Sequence, residues 1–192
     1  MKEIDYIKIL KGYIKSLEAE IQKVQVFKVP DFKELPMNCA DIDSKSALWI
    51  NRLQKDGVKD NSPILYYFKI TSQHSYQEIQ EHVKSYKKKY KKNESGYRAL
   101  SRVNNLQNIP AADILYVGKS HSAFFSRFKH HLGLYNDDMY SLQLNYWACP
   151  IKLRLVMYYS IIDMHKDDLR FLEQMESALH FHFKPILGRS GH

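Results

Sequence analysis

Six side chains beyond the first third of the chain are of types that move protons, bind anions or hold cations, namely Tyr66, Tyr116, Lys119, Arg127, His131 and Glu176. Arg127 and His131 are four residues apart, so a helix places both on one face. The planar fork of an arginine matches the oxygens of a phosphate, and a tyrosine or histidine beside it can transfer a proton. Singly, each of these residues is more often a packing or a solvated group. Their order along the chain therefore decides what they indicate.

Predicted strands and helices surround these residues. The apolar patterns predict strands over 64–70, 113–118 and 152–162 and helices over 76–92, 120–132 and 167–183. Tyr66 falls in the first strand and Tyr116 in the second, and we expect these two strands to pair. Glu176 falls in the last helix, which Pro185 stops. Residues 93–110 are polar and are predicted to be a loop.

The first 60 residues are expected to form an N-terminal helical arm. Apolar residues recur there at alternating steps of three and four, at Ile7, Leu10, Ile14, Leu17, Ile21 and Val24. This spacing predicts an amphipathic helix over 3–28. The favoured interpretation packs that helix on its own domain, and a helix that joins two copies into a homodimer is the alternative. A loop bounded by Pro30 and Pro36 and a second helix over 44–56 complete the predicted arm.

The composition is that of a folded globular protein with an excess of positive charge. Of the 192 residues, 44% are hydrophobic and 26% are charged, which excludes a disordered chain, a collagen and a disulfide scaffold. Lys and Arg outnumber Asp and Glu by 29 to 21, which favours a polyanionic partner. Cys39 and Cys149 lie outside any zinc or disulfide spacing, as is typical of a reducing compartment. Without a signal peptide or a membrane-length apolar run, a cytoplasmic protein is expected.

The predicted helix over 76–92 concentrates positive charge. Six lysines lie off its apolar side, at Lys84, Lys87, Lys88, Lys89, Lys91 and Lys92. A run of charges is usually a solvated face, but this density exceeds what solubility requires. We therefore expect the helix to contact nucleic-acid phosphates through Lys84, Lys87, Lys88 and Lys91.

Four motifs stand in an order that matches one known layout. Ile-Leu-Tyr-Tyr-Phe at 64–68 stands where the layout has Gly-Ile-Tyr-x-Ile, and Tyr-Val-Gly-Lys-Ser at 116–120 stands for its Tyr-Ile-Gly segment. Arg127 and His131 match an Arg-x-x-x-His helix, and Glu176 matches a glutamate on a late helix that ends at a proline. From about residue 62 to its end, the chain resembles the GIY-YIG nuclease family in these motifs.

The chain departs from that pattern at three points. Ile64 stands for the first glycine, Gly188 stands where an asparagine is common, and residues 71–112 replace a short connection. A nuclease core tolerates a surface insertion of this length. Because the insertion contains the lysine-rich helix, we expect it to contact DNA.

The resemblance implies catalytic roles around the two tyrosine strands. Arg127 would brace the phosphate oxygens, since its fork matches their geometry. Tyr116 is preferred as the general base, with Tyr66 close by in the paired strand. A free tyrosine has a pKa of about 10, so Lys119, Arg127 or a metal ion must lower it. His131 would orient Tyr66 or shuttle the proton.

The expected fold is α/β (α+β), with a small antiparallel three-stranded sheet flanked by helices over 61–192 and the helical arm before it. By resemblance, Glu176 would hold one divalent cation, Mg²⁺ or another such as Mn²⁺. The expected function is metal-dependent cleavage of double-stranded DNA by a site-specific, restriction-type endonuclease. The alternative is a catalytically inactive nucleic-acid-binding module that keeps the same fold.

Overall fold

The computed structural model describes residues 6–27, 31–92, 94–106, 112–135, 138–164 and 169–189. The chain divides into two compact units, Met1–Pro30 and Asp31–His192. The first unit holds one described helix, α1 (Tyr6–Val26). The boundary therefore falls at residue 30, whereas the sequence placed it at residue 60. No helix in the described ranges combines the length and the apolarity needed to cross a bilayer.

The larger unit is built on an antiparallel sheet of four strands, where the sequence predicted three. In chain order its elements are β1 (Lys33–Asn38), α2 (Ile42–Lys55), β2 (Ile64–Ile70), α3 (Tyr76–Lys89), β3 (Ile114–Ser120), α4 (Phe124–Leu132), α5 (Leu144–Trp147), β4 (Arg154–Ile161) and α6 (Leu169–Phe183). The strands lie in the order β1-β4-β2-β3. The predicted start of α6 at residues 167 and 168 lies outside the described residues.

The additional strand is β1, in the segment where Pro36 predicted a loop. Cys39 N donates a hydrogen bond to Leu153 O at 2.9 Å, which continues the register of β1 on β4. Hydrogen-bonded pairs alternate along an antiparallel ladder, so Pro36, opposite Val156, occupies a non-hydrogen-bonded position. Its ring nitrogen faces away from β4, and a proline is tolerated there because β1 is an edge strand.

Helices cover the two faces of the sheet. Tyr66 and Phe68 of β2 are fully buried on one face, where Phe124 of α4 packs 5.8 Å from the Tyr66 ring. On the opposite face Phe183 of α6 lies 4.9 Å from the Tyr67 ring. The helices α4 and α6 therefore lie on opposite faces of the sheet.

The insertion over 71–112 is anchored at α3 and again near Val103. α3 begins with a capping box, in which Ser75 and Glu78 satisfy each other's backbone N–H groups. Ile79 and Val83 of α3 are completely buried, which fixes its orientation. Further along, Val103 bridges to Leu187 of the C-terminal segment.

That C-terminal segment runs along the outer edge of β3. Ile186 N donates to Ile114 O and Leu187 N donates to Leu115 O, both at 2.9 Å. Gly188 N donates in turn to Arg102 O at 2.8 Å. The insertion, the C-terminal segment and β3 are therefore joined by main-chain hydrogen bonds at the side of the sheet where the candidate residues lie.

Candidate active site

A cleft of about 830 Å³ opens at the outer edge of β3. It is lined by side chains from α3, the 100–103 segment, β3, α4, α6 and the C-terminal segment. Among its lining residues the cationic ones are Lys84, Lys87, Arg102, Lys119, Arg127 and Arg189. Within the described residues, Glu176 is the one carboxylate that lines it. The cleft is therefore a positively charged site with a single acidic group.

Arg127 links β3 to the segment that follows α4. From α4, its Nη2 donates a hydrogen bond to Tyr116 Oη at 3.3 Å, and its Nη1 donates to Tyr140 O at 3.2 Å. Burial raises the pKa of Tyr116, and the positive charge of Arg127 only partly offsets that effect. The expected lowering of the tyrosine pKa by its cationic neighbours is thus outweighed by burial.

Tyr66 and His131 lie beneath the cleft and do not line it. Tyr66 Oη and His131 Nε2 are 2.9 Å apart, and both side chains are buried. Leu142 N donates to His131 Nδ1 at 3.3 Å, which places the proton of a neutral imidazole on Nε2. His131 therefore donates to Tyr66.

Burial keeps both members of this pair uncharged. It is the largest cause that lowers the pKa of His131 well below its usual range, and the charge of Arg127 lowers it further. Burial also raises the pKa of Tyr66. A neutral imidazole ring 4.9 Å from the ring of Tyr116 supports that tyrosine from below.

Two glycines leave room for the tyrosine rings. A Cβ atom at Gly118 would lie 2.6 Å from Tyr116 Cε1 and 2.7 Å from Tyr66 Cζ. Gly188 has φ +102°, and a Cβ atom there would lie 2.8 Å from Tyr116 Cε2. Gly118 of the Tyr-Val-Gly motif and Gly188, which stands where an asparagine is common, are therefore required for the same physical reason. At both positions the main chain passes directly against the Tyr116 ring.

Glu176 is held on α6 in a largely dehydrated position. The residue is only 8% exposed, and burial raises the pKa of its carboxyl to about 7 although Lys119 and Arg127 both act to lower it. Lys119 forms an ion pair with Glu173 at 2.7 Å. A bound cation would restore the charged form of Glu176 that burial disfavours.

The donor set at Glu176 fits one class of metal ion. Within the described ranges no three His, Cys, Asp or Glu side chains come together as a metal cage, so a zinc centre does not fit. Mg²⁺ retains several waters and binds through one or two carboxylates, so a single glutamate that faces a cleft suffices. Glu176 is therefore the residue that would hold such an ion.

The structure separates the predicted site residues into groups. Four predicted catalytic residues line the cleft: Tyr116, Lys119, Arg127 and Glu176. Lys84 and Lys87 also line it, whereas Lys88 and Lys91 lie outside it. Lys87 Nζ additionally donates to Ser101 O at 2.8 Å.

The sequence did not single out six of the lining residues, namely Leu100, Ser101, Arg102, Val103, Tyr140 and Arg189. Arg102 lies in the polar segment predicted as a loop, Tyr140 follows α4 in an irregular segment, and Arg189 is near the C-terminus. None belongs to a motif or a periodic pattern. The basic character of Arg102 and Arg189 was the sole signal available.

Comparison with known proteins finds no relative of this chain. No family model, no curated protein and no solved structure matches the chain.

Proposed function

We propose that this chain is a metal-dependent endonuclease that cleaves phosphodiester bonds in double-stranded DNA, as its resemblance to the GIY-YIG nucleases implies. One observation carries the proposal. A single buried carboxylate, Glu176, and the pair formed by Tyr116 and Arg127 line the same cationic cleft. Simple binding of a polyanion needs no carboxylate beside the phosphates, because a negative charge there is repulsive.

In the proposed reaction the protein positions the phosphate and removes a proton from water. Arg127 would contact the non-bridging oxygens, since its guanidinium already reaches the edge of the cleft beside Tyr116. When bound at Glu176, a divalent cation supplies positive charge that neutralises the phosphate and stabilises the leaving 3′ oxygen. Lys119, paired with Glu173, adds positive charge on the α6 side.

Tyr116 is the proposed proton acceptor, and it can act only as the phenolate. Burial disfavours that form, and Arg127 favours it. The acceptor must face the cleft to take a proton from a water there, and Tyr116 lines the cleft whereas Tyr66 does not. Tyr66 and His131 would then hold the Tyr116 ring in place rather than take part in proton transfer.

The second candidate is a nucleic-acid-binding module without catalytic activity. The raised pKa of Tyr116 favours it, because the neutral phenol is a poor base. Such a protein would bind DNA through the six cationic side chains of the cleft and would leave it intact.

Glu176→Gln distinguishes the two candidates, with Glu173→Gln as the matched control. Glu173 lies one turn earlier on α6 but outside the cleft lining. Nicking of supercoiled plasmid would be measured with Mg²⁺ and with Mn²⁺, and binding by gel shift in EDTA. We expect Glu176→Gln to abolish nicking and to bind DNA as well as wild type or slightly better. Glu173→Gln removes the carboxylate that pairs with Lys119 but keeps both Lys119 and Glu176 in the cleft, so it should still nick and bind.

Two outcomes would reject the assignment. Wild-type nicking by Glu176→Gln would remove the metal role of this residue. Binding without nicking by the unmodified protein, on plasmids of varied sequence and with either ion, would establish the binding module. Parallel assays on single-stranded DNA and on RNA of the same sequence test the choice of double-stranded DNA as substrate.

A further inference from the structure

An exposed apolar surface follows α4 beside the cleft. Four large side chains between residues 133 and 140 are exposed to solvent, namely Leu134, Tyr135, Met139 and Tyr140. Of these, Tyr140 has the largest exposed fraction, 69%, and it alone lines the cleft. A large aromatic side chain that stays in solvent at the edge of a cationic cleft has its ring faces free for a ligand.

The backbone of Tyr140 is held at its carbonyl oxygen and at the following residue, although its ring is exposed. Arg127 Nη1 donates to Tyr140 O, and the same guanidinium donates to Tyr116 Oη. The next residue, Ser141, is completely buried, donates from its N–H to Ala99 O at 3.0 Å and from its hydroxyl to His130 O at 2.9 Å. The ring therefore extends from a rigid anchor, which lowers the entropy cost of binding through it.

We propose that Tyr140 stacks on a DNA base adjacent to the phosphate that Arg127 contacts. The inference rests on the proposed function, since it places a nucleic-acid strand in the cleft. Bases and phosphates alternate along a strand, so a residue that shares a hydrogen bond with the phosphate-binding guanidinium lies next to a neighbouring base. In a duplex both faces of each base are covered by the neighbouring base pairs, so the Tyr140 ring would insert between two adjacent bases and unstack them locally. Such stacking tolerates any base because every base has a π face. Tyr140 would hold the strand in register while the cations of the cleft hold its phosphates.

Tyr135 provides a matched control within the same segment. It is also exposed, at 47%, but it does not line the cleft. Its ring lies 5.1 Å from the ring of His130, and Lys129 Nζ lies 5.4 Å from its centroid. Tyr135 is thus engaged by side chains of the preceding helix, α4, and is not expected to contact DNA.

The experiment uses the full chain and duplexes that carry 2-aminopurine at successive positions, in EDTA so that no cleavage occurs. We expect wild type and Tyr140→Phe to change the fluorescence of the probe at one or two adjacent positions. Tyr140→Ala should lose that change and bind about tenfold more weakly, with an unaltered salt dependence because no charge is removed. Tyr135→Ala should behave as wild type.

Normal fluorescence changes and affinity in Tyr140→Ala would overturn the stacking proposal, whether or not the protein cleaves DNA. A protein that shows the Tyr140-dependent signal and never cleaves would retain the stacking role and lose the nuclease assignment. Absence of binding by wild type to duplex DNA would overturn both. Thermal unfolding of the variants checks that the exposed substitutions leave the fold unchanged.

Discussion

The hydroxyl of Tyr66 lies 2.9 Å from Nε2 of His131, in a pocket that both residues share beneath the cleft. The imidazole is held on its other side by Leu142 N, so its one proton points to Tyr66. The ring of Tyr116 packs on the same imidazole and lines the cleft. The two motif tyrosines are therefore not equivalent, because Tyr116 faces the cleft and Tyr66 faces the interior.

Removing each hydroxyl should separate these roles. Tyr116→Phe keeps the ring and its packing, so we expect normal stability and a loss of cleavage of about 10²-fold or more. Tyr66→Phe leaves the buried His131 Nε2–H without an acceptor, which should cost about 1–3 kcal/mol of unfolding free energy. Single-turnover cleavage and urea unfolding of both variants give the comparison.

The reverse pattern would exchange the roles of the tyrosines. Suppose that Tyr66→Phe cleaves poorly but is as stable as wild type, and that Tyr116→Phe cleaves normally. Tyr66 would then be the proton acceptor, and the position of Tyr116 at the cleft would not identify the base.

The four lysines predicted to contact DNA divide into two pairs that a salt titration can distinguish. The sequence predicted the helix to continue to residue 92, but α3 ends at Lys89, so Lys91 lies beyond it. Lys84 and Lys87 line the cleft, and Lys88 and Lys91 do not. Replacing the first pair by Gln should reduce the slope of log affinity against log salt by about 0.9 per lost phosphate contact. Replacing the second pair should leave the slope unchanged. Equal effects of the two double variants would mean that charge density, and not the cleft, attracts the DNA.

Gly188 should be required for the position of the Tyr116 ring. Gly188→Ala places a methyl group 2.8 Å from Tyr116 Cε2 at φ +102°, so we expect the ring to shift and cleavage to fall about 10-fold or more. Gly57→Ala is the control, because Gly57 has a similar φ of +91° but its Cβ atom would meet only Ile161 Cδ1, at 3.9 Å. Both variants carry backbone strain, and a selective loss of cleavage in the first isolates the contact with Tyr116.

The buried imidazole of His131 should make the fold sensitive to acid. Its pKa in the folded state lies well below 6.5, so only the unfolded chain takes up its proton as the pH falls. Its contribution to unfolding free energy should decline by about 1.4 kcal/mol per pH unit below about pH 6.5. Glu176 acts in the opposite direction, because its pKa is raised to about 7 and the folded state gains a proton there first.

A variant isolates the histidine from the glutamate. His131→Gln does not titrate, so the difference in stability between wild type and His131→Gln should shrink as the pH falls from 7.5 to 5.5. Urea unfolding followed by the fluorescence of Trp49 and Trp147, both in the larger unit, measures it. A difference that stays constant with pH would show that His131 takes up a proton as readily in the folded protein as in the unfolded chain.

Local patterns predicted most of the elements, and tertiary packing decided the rest. The strand over 64–70 and the end of the last helix at residue 183 agree with the structure because their apolar patterns and stop signals are local. β1 was missed because Pro36 is a loop signal unless the strand lies at an edge, which sequence alone does not reveal.

The candidate site shows the same division. The spacing of Arg127 and His131 predicted one helix face, and both residues do point toward the tyrosine strands from α4. Arg127 lines the cleft, whereas His131 lies buried below it. The spacing of two residues on a helix does not reveal how deeply each side chain is buried, so the sequence did not predict this difference. The separation of Lys84 and Lys87 from Lys88 and Lys91 likewise depends on how α3 packs and on where it ends.

Both borders of the sheet are protected against pairing with another chain. At β1, the ring nitrogen of Pro36 replaces one outward N–H donor. At β3, main-chain hydrogen bonds from Ile186 and Leu187 already occupy the carbonyl groups of Ile114 and Leu115. The C-terminal segment thus shields an apolar strand from intermolecular sheet growth while it shapes the cleft. Truncation before Pro185 would convert β3 into an open template for aggregation.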